Sequence, residues 1–167
     1  MYDELTEVDI QKMKEELRYR YEVLAPALGA EVQRTREFGD LSENAEYKVA
    51  KQERNKNRSR IRYLEAMIRT AKVIPVASAP DCIGLFDYVT YYRADKDLTR
   101  RIQIVTTLRQ DALAGFISKE SPLGQALLGH RVGDRVTVRV SADKAYEVEI
   151  RLLEKGEDNT DLPISTF

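Results

Sequence analysis

The apolar residues of the first seventy positions recur every three or four residues, the spacing of a helix with one buried face. A capping pair, Thr6 and Asp9, precedes the pattern, which continues through Ile10, Met13, Leu17, Tyr21, Leu24, Leu28 and Val32. Pro26 lies inside the stripe and lacks a backbone donor. Because the stripe continues on both sides, we expect one long helix that bends at Pro26 without ending.

A second helix is predicted from about residue 43 to residue 72, after a break at residues 38–43. Gly39 suits a helix end, and Asp40 or Ser42 can cap the next helix. The apolar seam of this helix is clear at Ile61, Leu64, Ile68 and Ala71. Counting back from Ile61 places Asn57 and Arg54 on the same seam, where polar residues set register at some cost in stability. Two helices of about 30 residues form an antiparallel hairpin roughly 45 Å long.

The second half of the chain has the pattern of a small sheet domain. Residues 88–92, 102–107, 135–140 and 146–150 read as strands, and residues 121–129 read as a short capped helix with a closing glycine. We therefore predict an α+β protein with three parts. These are a helical hairpin over residues 1–74, a proline-flanked linker over 75–80, and an antiparallel β-sheet domain with a short helix over 81–167, whose polar tail frays from about residue 156.

Composition narrows the possible functions. The chain has 27 Lys and Arg against 28 Asp and Glu, which excludes a strongly basic domain that holds duplex DNA mainly by charge. One cysteine, Cys82, and one histidine, His130, exclude a Cys/His zinc site, so any chemistry rests on carboxylates. The first residues show no basic stretch followed by an apolar one, so we expect no signal sequence. No window reaches the run of about 20 apolar residues that a membrane span needs. We expect a cytosolic protein without a membrane partner.

Two carboxylates, Asp40 and Glu43, stand at the turn of the predicted hairpin. One interpretation is a capped helix start, where acids are favoured by the helix dipole. The other is a pair of Mg²⁺ ligands, since this cation keeps several waters and takes only one or two protein carboxylates. Two ligands leave a site incomplete, so a partner would have to supply the rest.

Two motifs resemble the bacterial Gre transcript-cleavage factors, in the GreA form. Residues 39–47 (GDLSENAEY) are similar to the family's tip signature. Residues 117–129 (ISKESPLGQALLG), followed by 132–136 (VGDRV), are similar to the family's C-terminal domain and stand in the expected order. The resemblance spans about residues 5–153. It implies an N-terminal coiled-coil hairpin and an FKBP-like C-terminal domain.

The resemblance also implies a function. The hairpin would enter the secondary channel of RNA polymerase, where Asp40 and Glu43 share a Mg²⁺ with the polymerase that the free protein does not hold stably. Ser42 and Asn44 would hydrogen-bond the attacking water or the substrate phosphate. The reaction is hydrolysis of backtracked nascent RNA, with two metals stabilising the attacking and leaving oxygens. The chain would then be a monomeric, cytoplasmic DNA-binding transcription factor that activates the polymerase, not an enzyme itself.

Basic and loop residues extend this prediction to binding. Seven Lys and Arg residues fall within positions 48–62 against one acid, which by itself fits a solvated helix face. The resemblance implies that a basic patch contacts the RNA 3′ segment, with Arg36 and Lys51 near the matching positions and Arg58 widening it. It also implies that Ser121, Pro122, Leu123 and Gly124 face the polymerase, although a capped helix packed on a core explains them equally well.

Two other functions remain open from the sequence. A Gre-fold regulator could occupy the secondary channel and modulate or inhibit the polymerase without stimulating cleavage; the Lys56–Asn57 pair and residues 83–89, which depart from the family pattern, keep this alternative. An FKBP-like prolyl isomerase is the third, but the domain lacks any Trp and an aromatic-rich pocket, and the hairpin would be unexplained.

Overall fold

The computed structural model describes residues 4–39, 44–158 and 161–165. Besides two 3₁₀ turns at Ala94–Lys96 and Thr107–Arg109, its helices are α1 (Glu7–Tyr19), a π-helical turn (Arg20–Leu24), α2 (Ala25–Arg36), α3 (Ala45–Thr70) and α4 (Pro122–Leu127). Its strands are β1 (Glu4–Leu5), β2 (Lys72–Val73), β3 (Tyr88–Arg93), β4 (Leu98–Val105), β5 (Phe116–Ser118), β6 (Arg135–Arg139) and β7 (Ala145–Glu154). The prediction of an α+β protein with an N-terminal helical hairpin and a C-terminal sheet is confirmed.

The first helix begins at the predicted capping box. The Thr6 hydroxyl accepts a hydrogen bond from the Asp9 amide at 3.2 Å, and the Asp9 carboxylate accepts one from the Thr6 amide at 3.0 Å. This reciprocal pair satisfies two backbone donors that have no partner within the helix. α1 therefore starts at Glu7, directly after the cap.

The irregularity expected near Pro26 takes the form of the π-helical turn before it. A proline ring disrupts the hydrogen bonds of a regular α-helix. The five-residue π-helical turn widens the helix just before Pro26, and the helix then continues as α2. Tyr21, which we predicted on the apolar seam, is 51% exposed, and its hydroxyl donates to the Glu65 carboxylate of α3 at 2.6 Å. Arg20 beside it bonds the buried Asn57 side chain of the same helix.

The second helix of the hairpin, α3, begins two residues later than predicted. Its N-cap is Asn44, whose side chain accepts a hydrogen bond from the Tyr47 amide. The two cap residues that we suggested, Asp40 and Ser42, lie outside the described residues. The predicted seam is confirmed at Ile61 and Leu64, which are buried.

The C-terminal sheet has the strand order β5-β4-β3-β7-β6. β3 pairs antiparallel with β4 and β7, and β6 pairs antiparallel with β7. β4 and β5 are parallel, so the sheet is mixed and the fully antiparallel arrangement that we expected is wrong at this edge. β5 was missed because three residues are too few to show a strand period, and its position depends on a chain reversal through Gly115, whose φ is +89°.

The core of the C-terminal unit lies on one face of this sheet. α4 covers part of it through Leu127, which is fully buried. The other buried apolar residues come from all five strands and from the segments beside them. They are Ile83, Leu85, Phe86, Val89, Tyr91, Ile102, Ile104, Val105, Ile117, Val136, Val138, Val148, Ile150 and Leu162.

The described part of the C-terminal segment is packed, which overturns the prediction of a frayed tail. Leu162 is only 8% exposed and belongs to the core. Lys155 Nζ donates hydrogen bonds to the carboxylate of Asp87 and to the carbonyl oxygens of Ala79 and Cys82. Asp158, which lies in the polar stretch that suggested fraying, accepts hydrogen bonds from the Thr6 hydroxyl and from Arg109.

The chain divides into two compact units. One contains Ile10–Lys72, and the other contains Glu4–Asp9 together with the chain from Val73 onward. The N-terminal segment joins the second unit partly through a hydrogen bond from the Ile74 amide to the Leu5 carbonyl at 2.8 Å. Across the described ranges, no helix has the length and apolar character needed to span a membrane.

Candidate functional site

The acidic motif lies in the connection between the two antiparallel arms of the hairpin. α2 ends at Arg36 and α3 begins at Ala45, and Gly39 between them has a φ of +97°, the left-handed conformation that glycine favours after a helix. The predicted metal ligands Asp40 and Glu43, and Ser42 beside them, lie outside the described residues. Their assignment stays a prediction.

Asn44, the remaining residue of the predicted catalytic set, is held by both arms of the hairpin. Its Oδ1 accepts from the Tyr47 amide at 3.1 Å, and its Nδ2 donates to the Thr35 carbonyl at 2.7 Å. Arg34 of α2 also contacts Glu46 of α3 at 3.5 Å, and it pairs with Glu31 of its own helix at 2.6 Å. The Asn44–Thr35 hydrogen bond and the Arg34–Glu46 pair therefore join the ends of α2 and α3 on either side of the acidic motif.

The three residues predicted to bind RNA are all exposed. Lys51 and Arg58 are seven residues apart in α3, so they lie on one face of the helix. Arg58 also lines a groove of about 730 Å³ on the hairpin. The groove is lined by Tyr21, Ala25, Asn55, Arg58, Ser59, Ile61, Arg62 and Glu65. Arg36 is the last residue of α2.

The basic stretch is not uniformly solvated, because Arg60 points into the hairpin and is 4% exposed. Its Nε and Nη2 donate to the two carboxylate oxygens of Glu16 at 2.9 and 3.0 Å. Our interpretation of all seven residues as one exposed face is therefore wrong at Arg60. The sequence carried a signal for this, since Arg60 lies three residues after Asn57 and four before Leu64, on the apolar seam.

A polar network occupies the seam around Arg60. Arg20 Nη1 donates to the Asn57 side-chain oxygen at 2.9 Å, and its Nε donates to Glu16 at 2.7 Å. Asn57 is 3% exposed, which confirms its predicted seam position, while Arg54 is half-buried. Burial alone would raise the pKa of Glu16, but the hydrogen bonds from Arg60 and Arg20 outweigh it and leave the pKa below its ordinary value.

The loop predicted to face the polymerase divides into exposed and structural residues. Ser121 caps α4 by accepting from the Gly124 amide at 3.0 Å, and a Cβ at Gly124 would lie 2.2 Å from the Ser118 carbonyl oxygen. Leu123 packs against the core. Pro122 is the exposed member of the set. Helix capping and core packing thus account for Ser121, Leu123 and Gly124. The contact of this loop with RNA polymerase remains a prediction.

The part of the chain that the structure describes contains no cluster of three or more His, Cys, Asp or Glu able to hold a metal ion. The predicted donor set, Asp40 and Glu43, supplies two hard carboxylate ligands. That number and type fit Mg²⁺ bound partly by a second molecule.

Comparison with known proteins decides the family. Residues 4–73 match the family described as "Transcription elongation factor, N-terminal", and residues 78–154 match "Transcription elongation factor, GreA/GreB, C-term". A protein from Mesoplasma florum named transcription elongation factor GreA is 36% identical over 148 residues, covering 88% of this chain and 94% of the relative. The chain belongs to the GreA/GreB family of transcription elongation factors.

Other relatives agree with this assignment. Transcription elongation factor GreA of Oenococcus oeni is 33% identical over 154 residues, covering 92% of this chain and 95% of that protein. The crystal structure of GreA factor homolog 1 from Thermus thermophilus is 25% identical, covers 93% of this chain and 100% of its own, and has a TM-score of 0.43. The family assignment rests on the sequence matches and not on this structural likeness.

Proposed function

We propose that this Gre-family chain inserts its hairpin into the secondary channel of a bacterial RNA polymerase and stimulates Mg²⁺-dependent cleavage of backtracked nascent RNA. The cleavage releases arrested complexes, because a new RNA 3′ end then lies in the active site. The chain acts as an activator of the polymerase's hydrolytic activity, and it works in the cytoplasm. In this proposal the chain supplies part of the catalytic centre and the polymerase supplies the rest.

The observation that carries the proposal is the position of the acidic motif in a protein of this family. The motif occupies the connection between the two arms, where α2 ends and α3 begins. A hairpin presents its connection at one end, so a narrow channel can admit the acidic residues ahead of the rest of the chain. The small net charge of −1 agrees with a factor that reaches RNA through a local basic face and not through the whole surface.

Asp40 and Glu43 would hold the cation jointly with ligands of the polymerase. A bound Mg²⁺ lowers the pKa of its water and stabilises charge on the phosphate as the bond breaks. The contribution of this chain is the two carboxylates and the arms that bring them to the polymerase. Neither residue alone provides the ligands that the octahedral ion requires.

The exposed basic face of α3 would follow the RNA that leaves the active site. Lys51 and Arg58 lie on that face, and Arg62 joins Arg58 along the groove. Lys and Arg contacts to phosphates give affinity without sequence preference, which suits a factor that acts on any backtracked transcript.

The decisive experiment measures cleavage of 5′-labelled RNA in a backtracked bacterial elongation complex with Mg²⁺. We expect the wild-type chain to accelerate cleavage over the slow intrinsic reaction of the polymerase, and Asp40→Asn and Glu43→Gln to abolish the acceleration. Both variants should bind polymerase as the wild type does, because each removes a charge and leaves the helical arms unchanged. Glu37→Gln, an exposed acid outside the predicted metal ligands, is the matched control and should retain activity.

Two results would overturn the proposal. If the wild type binds polymerase but does not accelerate cleavage, the chain is a secondary-channel regulator that modulates or inhibits the enzyme. If it does not bind polymerase at all, the proposed partner is wrong.

A further inference from the structure

The groove on the hairpin has walls from both arms. Tyr21, in the π-helical turn, and Ala25, at the start of α2, line one side, and six residues of α3 between Asn55 and Glu65 line the other. Its volume of about 730 Å³ lies within the range of small-molecule sites, about 300–1,000 Å³. We call it the hairpin groove.

Tyr21 gives the hairpin groove an exposed aromatic ring. The residue is 51% exposed, and its hydroxyl donates to Glu65 of the opposite arm at 2.6 Å. Among the described residues no cation lies over this ring, whereas Lys51 lies over the ring of Tyr47. The hydrogen bond fixes the side chain through its hydroxyl alone, so the ring is able to stack on a planar ligand. Its place in a π-helical turn agrees with a binding role, because such turns are frequent at functional sites.

Two arginines give the hairpin groove its positive charge. Arg58 and Arg62 are four residues apart, so they are neighbours on one face of α3. Within the part of the chain that the structure describes, neither forms an ion pair, and Arg62 makes only a long contact with the Ser59 hydroxyl at 3.4 Å. The acid of the groove, Glu65, is bonded to Tyr21. Two neighbouring guanidinium groups without carboxylate partners favour a ligand that carries several negative charges, such as a chain of phosphates.

The rest of the lining suits the other parts of a nucleotide. Ile61, which is 7% exposed, and Ala25 add apolar surface on which a planar base can pack. Asn55 and Ser59 add side chains that both donate and accept hydrogen bonds, as the hydroxyls of a sugar require. An aromatic side chain stacks on every nucleobase, because each base has a π-face.

The Tyr21–Glu65 bond lies at one end of the hairpin groove. Tyr21 is the first lining residue along the chain and Glu65 the last, so in the antiparallel hairpin they meet at the end farthest from the connection between the arms. From Asn55 to Glu65 the helix advances about 15 Å. A polynucleotide strand that continued past this end would have to cross the bond between the arms. A single nucleotide and its phosphates would not, so the groove favours the short ligand.

We propose that the hairpin groove binds a free nucleoside polyphosphate. The base stacks on Tyr21, and the phosphates accept hydrogen bonds from Arg58 and Arg62. None of these residues belongs to the acidic motif, and the ligand binds without polymerase, so failure of the proposed cleavage function leaves this inference standing. In the proposed complex Arg58 also faces RNA, and the nucleotide and the transcript then compete for it.

Titration calorimetry of the free, full-length protein tests which parts of the ligand are recognised. The probes are ATP, adenosine and inorganic tripolyphosphate at equal ionic strength. We expect ATP to bind at least tenfold more tightly than either fragment, because only ATP engages the ring and the arginines together. Absence of ATP binding at millimolar concentrations overturns the proposal. Tripolyphosphate that binds as tightly as ATP also overturns it, because the groove would then be an anion site in which the base has no part.

Variants of exposed residues place the binding in the groove. Arg58→Gln should weaken ATP binding at least tenfold, whereas Arg69→Gln, at an exposed arginine of α3 outside the groove, should not. Tyr21→Leu should remove the preference for ATP over tripolyphosphate, and Tyr21→Phe, which keeps the ring, should retain it. Tyr19→Leu is the matched control, since Tyr19 is 54% exposed and does not line the groove. Equal affinities in Arg58→Gln and Arg69→Gln would place the nucleotide elsewhere and overturn the proposal.

A single-stranded RNA hexamer with a 5′ hydroxyl distinguishes a free nucleotide from a strand. Fluorescence anisotropy of the labelled hexamer gives its affinity for the free protein, and unlabelled ATP serves as competitor. We expect the hexamer to bind at least tenfold more weakly than ATP. A hexamer that binds as tightly as ATP or more tightly, and loses this affinity in Arg58→Gln and Tyr21→Leu, would assign the groove to RNA and overturn the proposal.

Discussion

Arg109 Nε donates a hydrogen bond to Asp9 Oδ1 at 2.6 Å, and the side chains of both residues have 0% exposure. The guanidinium of Arg109 also bonds the carboxylate of Asp158, whose second oxygen accepts from the Thr6 hydroxyl. A single buried cation thus joins the capping box of α1 to the C-terminal segment. Asp9 closes a helix cap and neutralises a buried charge at the same time.

Removing the cation should strongly destabilise the protein, because it leaves two carboxylates in a buried site. For Arg109→Met we expect the free energy of unfolding to fall by about 3–5 kcal/mol, the range for breaking a buried ion pair. Urea unfolding followed by circular dichroism measures the loss. Arg131→Met, which breaks the exposed Arg131–Asp81 pair, is the control and should change stability by less than about 1 kcal/mol. Equal effects of the two substitutions would show that the Arg109 site contributes no more than a surface pair.

The hydrogen bonds of Glu16 with Arg20 and Arg60 predict that the free energy of unfolding depends on pH. The folded protein holds the pKa of Glu16 below its ordinary value of 4.5, so ionised Glu16 stabilises the fold above that pH. The contribution is lost as the pH falls from about 4.5 through the folded pKa, because the unfolded chain takes up the proton first. We expect Glu16→Gln to lower the free energy of unfolding at neutral pH, and the difference from wild type to shrink in acid.

Glu15→Gln provides the comparison for this pH series. Glu15 is exposed on the same helix and accepts a hydrogen bond from Gln11 at 3.0 Å. Unfolding curves between pH 3 and pH 7 should show a pH-dependent difference for Glu16→Gln and almost none for Glu15→Gln. A constant difference for Glu16→Gln across this range would contradict the assignment of the lowered pKa to the network.

At Gly156 the backbone of the C-terminal segment comes close to the carbonyl oxygen of Phe86. A Cβ at this position would lie 1.9 Å from the Phe86 carbonyl oxygen, so the backbone would have to move. We expect Gly156→Ala to destabilise the protein by about 1–3 kcal/mol, the usual cost of overpacking. Gly29→Ala, in α2 with nothing within 4 Å, should stabilise it by about 0.5–1 kcal/mol, and thermal unfolding compares the two. A neutral Gly156→Ala would mean that the segment moves away from Phe86 without cost.

The features that the sequence predicted well are those set by nearby residues. The helical period, the Thr6–Asp9 box and the alternation in β6 and β7 all depend on neighbours within about four positions. The seam position of Asn57 followed from the same spacing. These signals also located the acidic motif between two helices, before any tertiary contact was known.

The features that were missed depend on residues far along the chain. Arg60 turns inward because Glu16, 44 positions away, offers both carboxylate oxygens to it. Leu162 is buried because the core accepts it, although the polar residues before it are typical of a frayed tail. β5 forms because β4 pairs with it. The local sequence pattern carries no information about such partners. In the candidate site, the hydrogen bond from Asn44 Nδ2 to the Thr35 carbonyl was missed for the same reason.

The exposed basic face of α3 predicts a salt-dependent contact with RNA. Replacing Lys51 and Arg58 together with Gln should weaken binding of the factor to backtracked complexes, measured as the factor concentration that gives half-maximal cleavage. The deficit should be largest at low salt and shrink as salt rises, because salt already weakens the phosphate contacts of the wild type. Lys56→Gln is the control, since Lys56 is exposed on the same helix but paired with Glu53 at 2.7 Å. If the double variant behaves as the wild type does at every salt concentration, this face is only solvated. If the deficit persists unchanged at high salt, the two side chains pack against a partner and do not act through charge.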